Sequence, residues 1–279
     1  MKQALKLGIG VLALVGSTFT AAAADLGARP IGKAPAIAPA PIFNWSGFYV
    51  GVGLGGRWDE NEWTTTCLAP TALGVATCPN DIFAGTSRIL NANPTIFEPD
   101  VGFRVSGYVG YNWQFQNWVL GVEGDFAWAD NSAAVLGIPG TWSATFGPGV
   151  DAASVNDKWD ASIRGRIGYL FAPQALFYVT GGATWLEKEV SATCAGTFPV
   201  GWCVTAQSQT ASNTHFGWTI GGGIEWMLTP NWILRAEYRY SQYEEESYTF
   251  FNAPTPVDSF SFNVDAVTHT AYAGIAYKF

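Results

Sequence analysis

The chain has 279 residues, of which 48% are hydrophobic, 15% aromatic and only 13% charged, and it contains 32 Gly and 13 Trp. Charge near half the globular norm of about a quarter, beside this much apolar and glycine content, excludes disorder, collagen and a long coiled coil. The formal net charge is −8 and the 14 basic residues are scattered, so no nucleic-acid partner is expected.

Residues 1–24 open with Lys2 and Lys6, continue through an apolar run from Leu7 to about Val15 and end in Ala22-Ala23-Ala24. That order reads as a secretory signal peptide cleaved near Ala24; the apolar run is too short for a spanning helix and lacks a charged stop. Residues 25–44 form an Ala/Pro-rich periplasmic leader, densest from Ala34 to Pro41. Such a stretch favours extended polyproline II, either as a mobile leader or as a spacer that touches the cell wall or another protein.

From Trp45 onward apolar residues recur with period two, the signature of a strand whose side chains alternate between faces. The pattern predicts eight strands, at residues 47–58, 102–113, 118–128, 158–169, 176–185, 215–226, 232–241 and 267–279. In 232–241, Trp232, Leu234, Ala236, Tyr238 and Tyr240 share one face and Ile233, Arg235, Glu237, Arg239 and Ser241 the other. A helix would place Arg235 and Arg239 beside Trp232 and Ala236 and leave no apolar stripe.

On the apolar face, Phe48 and Trp58, Phe103 and Trp113, Trp118 and Trp128, Trp159 and Tyr169, and Phe216 and Trp226 are each ten residues apart. Ten steps of ~3.3 Å tilted by ~40° rise roughly 25 Å, the height of a lipid-facing band between two aromatic girdles. A soluble sandwich has no reason to space aromatics so. Connections alternate between short turns (114–117, 171–174, 228–231) and long loops (59–100, 129–157, 186–214, 242–266). The expected fold is therefore all-β: a transmembrane, antiparallel, eight-stranded up-and-down barrel over residues 45–279 in the outer membrane, with both termini periplasmic and the long loops extracellular.

Cys67 and Cys78 fall in the first long loop, Cys194 and Cys203 in the third. Four cysteines allow three pairings, and bridges within each loop need the least rearrangement; the spacing is too wide for a zinc site, and no metal or cofactor is expected. The loops carry a net charge of −14, densest at Glu244, Glu245 and Glu246, which are followed by Tyr248, Phe250 and Phe251 as exposed aromatics. Such acids serve solubility, repel anions or bridge through divalent cations to lipopolysaccharide, and the aromatics offer a contact for a host surface or a small ligand.

The inward rows hold Arg104, Arg164, Arg166, Arg235 and Arg239 with Glu123, Asp125, Asp160, Glu225 and Glu237. Five charges of each sign form either a mutually neutralising plug or the lining of a narrow pore; inward glycines such as Gly51, Gly53 and Gly223 leave space or make room for neighbouring Arg and Tyr. No catalytic residues are assigned. His215 and His269, expected near the outer strand ends with Ser259, Ser261 and Asp265 close by in sequence, fix no triad.

The run Trp45-Ser46-Gly47-Phe48-Tyr49-Val50-Gly51 and the ending Tyr277-Lys278-Phe279 resemble the RopB-type, porin-like outer-membrane surface antigens of alphaproteobacteria, within the OmpA-type small-barrel group. The resemblance covers residues 1 to about 58 and the hairpin pattern beyond. It implies that Tyr277 and Phe279 are the signal read by the barrel-assembly machinery. The expected role is that of a non-enzymatic structural surface protein supporting envelope integrity, with a small cation-preferring channel and a loop-mediated binder as alternatives.

Overall fold

The computed structural model describes residues 43–68, 94–98, 101–141, 151–196, 205–252 and 259–279. The expected signal peptide, most of the Ala/Pro leader, Cys78 and Cys203 lie outside the described residues. Nine strands follow in order: β1 (Gly47–Leu68), β2 (Thr95–Phe97), β3 (Gly102–Phe115), β4 (Trp118–Leu136), β5 (Ala152–Ala172), β6 (Ala175–Cys194), β7 (Gln207–Met227), β8 (Trp232–Phe250) and β9 (Phe260–Lys278). Eight close a barrel: β1 pairs with β3, each later strand pairs with the next, and β9 returns to β1 from Tyr49↔Lys278 to Leu68↔Phe260, all antiparallel. The ninth, β2, is a three-residue addition on the upper part of β1, with Asn61 opposite Phe97.

The turns fall where the sequence places them. Two residues join β3 to β4, Gln116 and Asn117, and two join β5 to β6, Pro173 and Gln174; Gln116 takes φ 55°, the positive value that the primed hairpin turns use. The other ends differ. The described residues of the four stretches expected as long loops are largely strand: β1 continues ten residues past Trp58, β6 nine past Trp185, and β8 ten past Tyr240. Alternation persists there with its polarity reversed, which the search for apolar outward rows cannot see. Nine more residues at ~3.3 Å and ~40° carry the strands roughly 20 Å beyond the outer girdle.

Above the girdle the barrel opens into two facing sheets. Pairing of β7 with β8 stops at Gly217↔Tyr243, that of β1 with β3 at Arg57↔Gly102, and that of β3 with β4 at Arg104↔Ala129. What continues is β2-β1-β9-β8 on one side and β4-β5-β6-β7 on the other. Between them lies an apolar core: Trp63, Phe97, Tyr248, Phe250, Phe260, Phe262 and Val264 from the first sheet meet Val155, Val190, Ala192 and Cys194 from the second. Trp63 stacks on Phe262 with ring centroids 3.7 Å apart. Tyr248, Phe250 and Phe251 are thus buried core residues and not exposed loop aromatics. A β-bulge between Tyr243 and Glu246 explains the first two: Glu244 and Glu245 on β8 oppose the single Asp265 on β9, and that one extra residue shifts the inward row from odd to even numbers, while Phe251 turns inward just past the strand end at φ 60°. Glu244 and Glu245 sit on that bulge, exposed, and Glu246 follows half-buried on the strand; none of the three is in a loop.

Candidate functional site

Because successive side chains of a strand face opposite ways, each strand sends one row inward, and eight converging rows bring distant charges together. All ten interior charges expected from the alternation are buried, in one network. Asp125 on β4 accepts from Arg104 at 3.0 Å, Arg239 at 2.9 Å and the Ser162 hydroxyl, and forms an ion pair with Arg164 at 3.2 Å. Asp160 on β5 takes Arg104 at 2.6 Å and Arg239 at 3.1 Å. Glu123 binds Arg164 at 2.7 Å and Arg235 at 2.6 Å and accepts from the Tyr49 hydroxyl at 2.7 Å. Glu225 pairs with Arg166 at 2.8 Å and Arg235 at 2.6 Å, and Glu237 with Arg164 at 2.6 Å.

Four further charges escaped the sequence reading as members of this network. Arg57 meets Asp59 at 3.0 Å and Asp160 at 3.4 Å, and Lys188 meets Asp157 at 2.6 Å while also donating to Asn61. Asp59, Asp157 and Lys188 fall in stretches taken for loops, although Arg57, Asp59, Asn61 and Trp63 continue one inward row of β1. Seven cations thus face seven carboxylates.

Tyrosines complete the filling. The Arg166 guanidinium lies 4.2 Å from the Tyr178 ring centroid and that of Arg235 4.2 Å from Tyr108. The inward glycines serve these rings: a Cβ on Gly51 would run into Tyr108, and one on Gly223 would meet the Tyr178 hydroxyl. Below the charges a second apolar cluster, including Trp45, Tyr49, Leu176, Met227 and Ile233, fills the end of the barrel that holds the short turns. Trp45 is pinned there, its backbone N–H donating to Gln114 Oε1 at 2.8 Å and its indole N–H to the Pro173 carbonyl at 3.2 Å. The interior is therefore apolar, ionic and apolar again along its length.

The residues considered for catalysis are not assembled. His269 faces outward and its Nδ1 lies 2.6 Å from the Tyr238 hydroxyl, while Ser261, eight residues up β9, bonds to Thr249. His215 is buried above the girdle, within β7 and not at its outer end. Its Nδ1 donates to the Glu244 carbonyl at 3.3 Å, so Nε2 accepts from the Tyr248 hydroxyl at 2.9 Å. Burial first, then the Lys188 ammonium, lowers its pKa to about 4, and the ring is neutral at pH 7. Cys67 and Cys194 are both disulfide-bonded. At the C-terminus the Phe279 amide donates to the Phe48 carbonyl at 2.9 Å, and the Phe279 ring packs on Tyr277 and Phe48 with centroids 5.2 and 5.8 Å away.

Outside, the band between the girdles is apolar: Val50, Val52, Leu54, Val122, Ile163, Ile220 and Ile224 are all exposed, rimmed by Trp118, Trp128, Trp218 and Trp226. The profile of the family described as outer membrane protein beta-barrel domain matches residues 11–279. The chain belongs to that family. Among curated members it is 28% identical over 282 residues to the 25 kDa outer-membrane immunogenic protein of Brucella canis, with all of both chains covered. It is 27% identical to the 31 kDa outer-membrane immunogenic protein of Brucella melitensis, covering 88% of this chain and 89% of the relative. Among solved structures, the outer membrane protein OprG of Pseudomonas aeruginosa aligns with 86% of this chain and 99% of its own at 12% identity and a TM-score of 0.48. The family and these relatives are outer-membrane proteins, and the apolar band is the part of this chain that suits that membrane.

Proposed function

We propose that the protein is a sealed, non-enzymatic structural barrel that holds an acidic β-head at the cell surface and supports envelope integrity. The observation that carries this reading is the filled interior: an ion-pair network between two apolar plugs, with tyrosine rings in the space that the inward glycines leave. Individual buried ion pairs are weak stabilisers against apolar alternatives, but removing one partner leaves a charge stranded and costs about 3–5 kcal/mol, so the network resists opening. In this reading the short turns and both termini face the periplasm, the head faces outward towards lipopolysaccharide, and Tyr277 and Phe279 form the assembly signal. Recording current across planar bilayers from the refolded chain tests it. Silence with natively folded protein is the expected result. Cation-favouring steps that change in Glu123→Gln would overturn it in favour of a small porin.

A further inference from the structure

Among the described residues, β7 from Gln207 to Phe216 pairs only with β6, and β8 from Glu244 to Phe250 only with β9. Two strand edges therefore face each other across a seam above the membrane. Side chains tie them on the inner side, through His215 to Tyr248 and to the Glu244 carbonyl, through Asn213 to Tyr248, and through the Phe251 amide donating to Gln209 at 2.7 Å. On the outer side of the β7 edge the outward row Ser208, Thr210, Ser212 and Thr214 is exposed. Natural sheets protect free edges with Lys, Pro, bulges or short length, and Gln207–Thr214 has none of these.

The foot of the seam is a concavity of about 590 Å³, lined by Phe216, Trp218, Glu244, Glu245 and Asp265. Three carboxylates and two aromatic faces suit one cationic side chain, held by ion pairs and ring quadrupole. Burial first, then Glu62 and Glu245, raises the pKa of the Asp265 carboxyl, so a cation there would relieve crowded like charge. No group of three or more acidic or His side chains among the described residues is arranged to hold a metal ion. Glu187, Glu189 and Glu246 extend the acidic surface along both sides; Lys188, whose charge reaches Asp265, is buried and paired with Asp157 at 2.6 Å, and Lys158 is paired with Glu189 at 2.5 Å.

We propose that this seam is a docking slot for an extended, basic peptide segment of another protein, which adds as a strand to the free edge of β7 and seats a lysine or arginine in the acidic cavity. Main-chain bonds along the edge supply affinity, and the cavity supplies the preference for a cation. The slot starts at the outer girdle, to which Phe216 and Trp218 belong, and runs from there up the head.

The test uses the mature chain refolded in lipid nanodiscs and a peptide of alternating lysine and valine as long as Gln207–Thr214. Controls are the same peptide with glutamate for lysine, and a version N-methylated at alternate residues, which cannot pair as a strand. Hydrogen exchange should show the amides of Gln207–Thr214 open in the free protein and protected with the basic peptide. Its affinity should fall about tenfold or more on N-methylation or in the Glu244→Gln, Glu245→Gln double variant. Both side chains are exposed, and at position 245 glutamine keeps an amide oxygen that can still accept from Asn263, so the double variant should fold as the parent does. No protection on β7, equal protection by the glutamate peptide, or undiminished binding of the N-methylated one would overturn the proposal. Protection that rises with protein concentration alone would also do so, since a second copy would then fill the slot.

Discussion

The membrane band and the head above it are made from the same strands, yet they are built inside out relative to each other. In the band, Val122 and Ile163 face lipid while Glu123 and Arg164 face inward; in the head, Ser154, Ser191 and Thr249 face outward while Val155, Val190 and Phe250 form the core. Solvent explains the inversion, because apolar area is stabilised away from water and backbone-rich strands tolerate either orientation. Bulges at Thr65/Cys67, Trp128/Asn131, Asp157/Trp159 and Tyr243/Glu246 sit at or above the change, where a strand can switch which parity points inward.

The contrast breaks most severely at Arg164, which holds Glu123, Asp125 and Glu237 together. Arg164→Ala should cost about 3–5 kcal/mol in urea unfolding from lipid, and pairing it with Glu237→Gln should recover part of that loss. In the head, Phe262→Ala removes the ring stacked on Trp63 and should cost about 3 kcal/mol. Protease should then cut the head while the band stays intact, the reverse of the Arg164 outcome, in which the whole barrel loses its resistance to heat in detergent.

Acid gives a smaller and graded effect. His215 is neutral in the fold, with a pKa lowered to about 4 against an ordinary value near 6.5, so the unfolded chain binds the extra proton first. Stability of the head should fall as pH drops from about 6.5 towards 4, by at most about 1.4 kcal/mol per unit, and recover as pH rises. Measured by proteolysis, His215→Gln should flatten that slope relative to the parent. The smallest change is expected at the exposed Lys158–Glu189 pair on the outer face of the head. Lys158→Ala should shift unfolding by under about 1 kcal/mol and weaken further with salt.

How much of this was legible in the sequence follows from the same inversion. The girdle spacing of Phe48 to Trp58 and its counterparts marks the lipid band, and the inward charges follow from it, because period two leaves them no other face. The head was invisible for two reasons. Its outward rows, such as Ser208, Thr210, Ser212 and Thr214, are polar and read as loop. Its inward rows change parity at bulges, so Tyr243 and Tyr248 both point inward although five residues separate them. Asp59, Asp157 and Lys188 were missed for the first reason, and the burial of Tyr248 and Phe250 for the second.

The central claim is that the barrel strands together carry four kinds of position: lipid-facing, sealed ionic interior, sealed apolar interior and water-facing head. Single cysteines at Val179, Ser106, Val264 and Thr249 sample them in that order, since Val179 is exposed in the band, Ser106 and Val264 are buried and Thr249 is exposed in the head. Labelling the variants in lipid vesicles with a charged, membrane-impermeant maleimide is the most direct measurement. Reaction at Thr249→Cys alone is the predicted result. Reaction at Ser106→Cys would mean that water passes through the ionic layer, and reaction at Val179→Cys that the band does not lie in lipid; either would contradict the account.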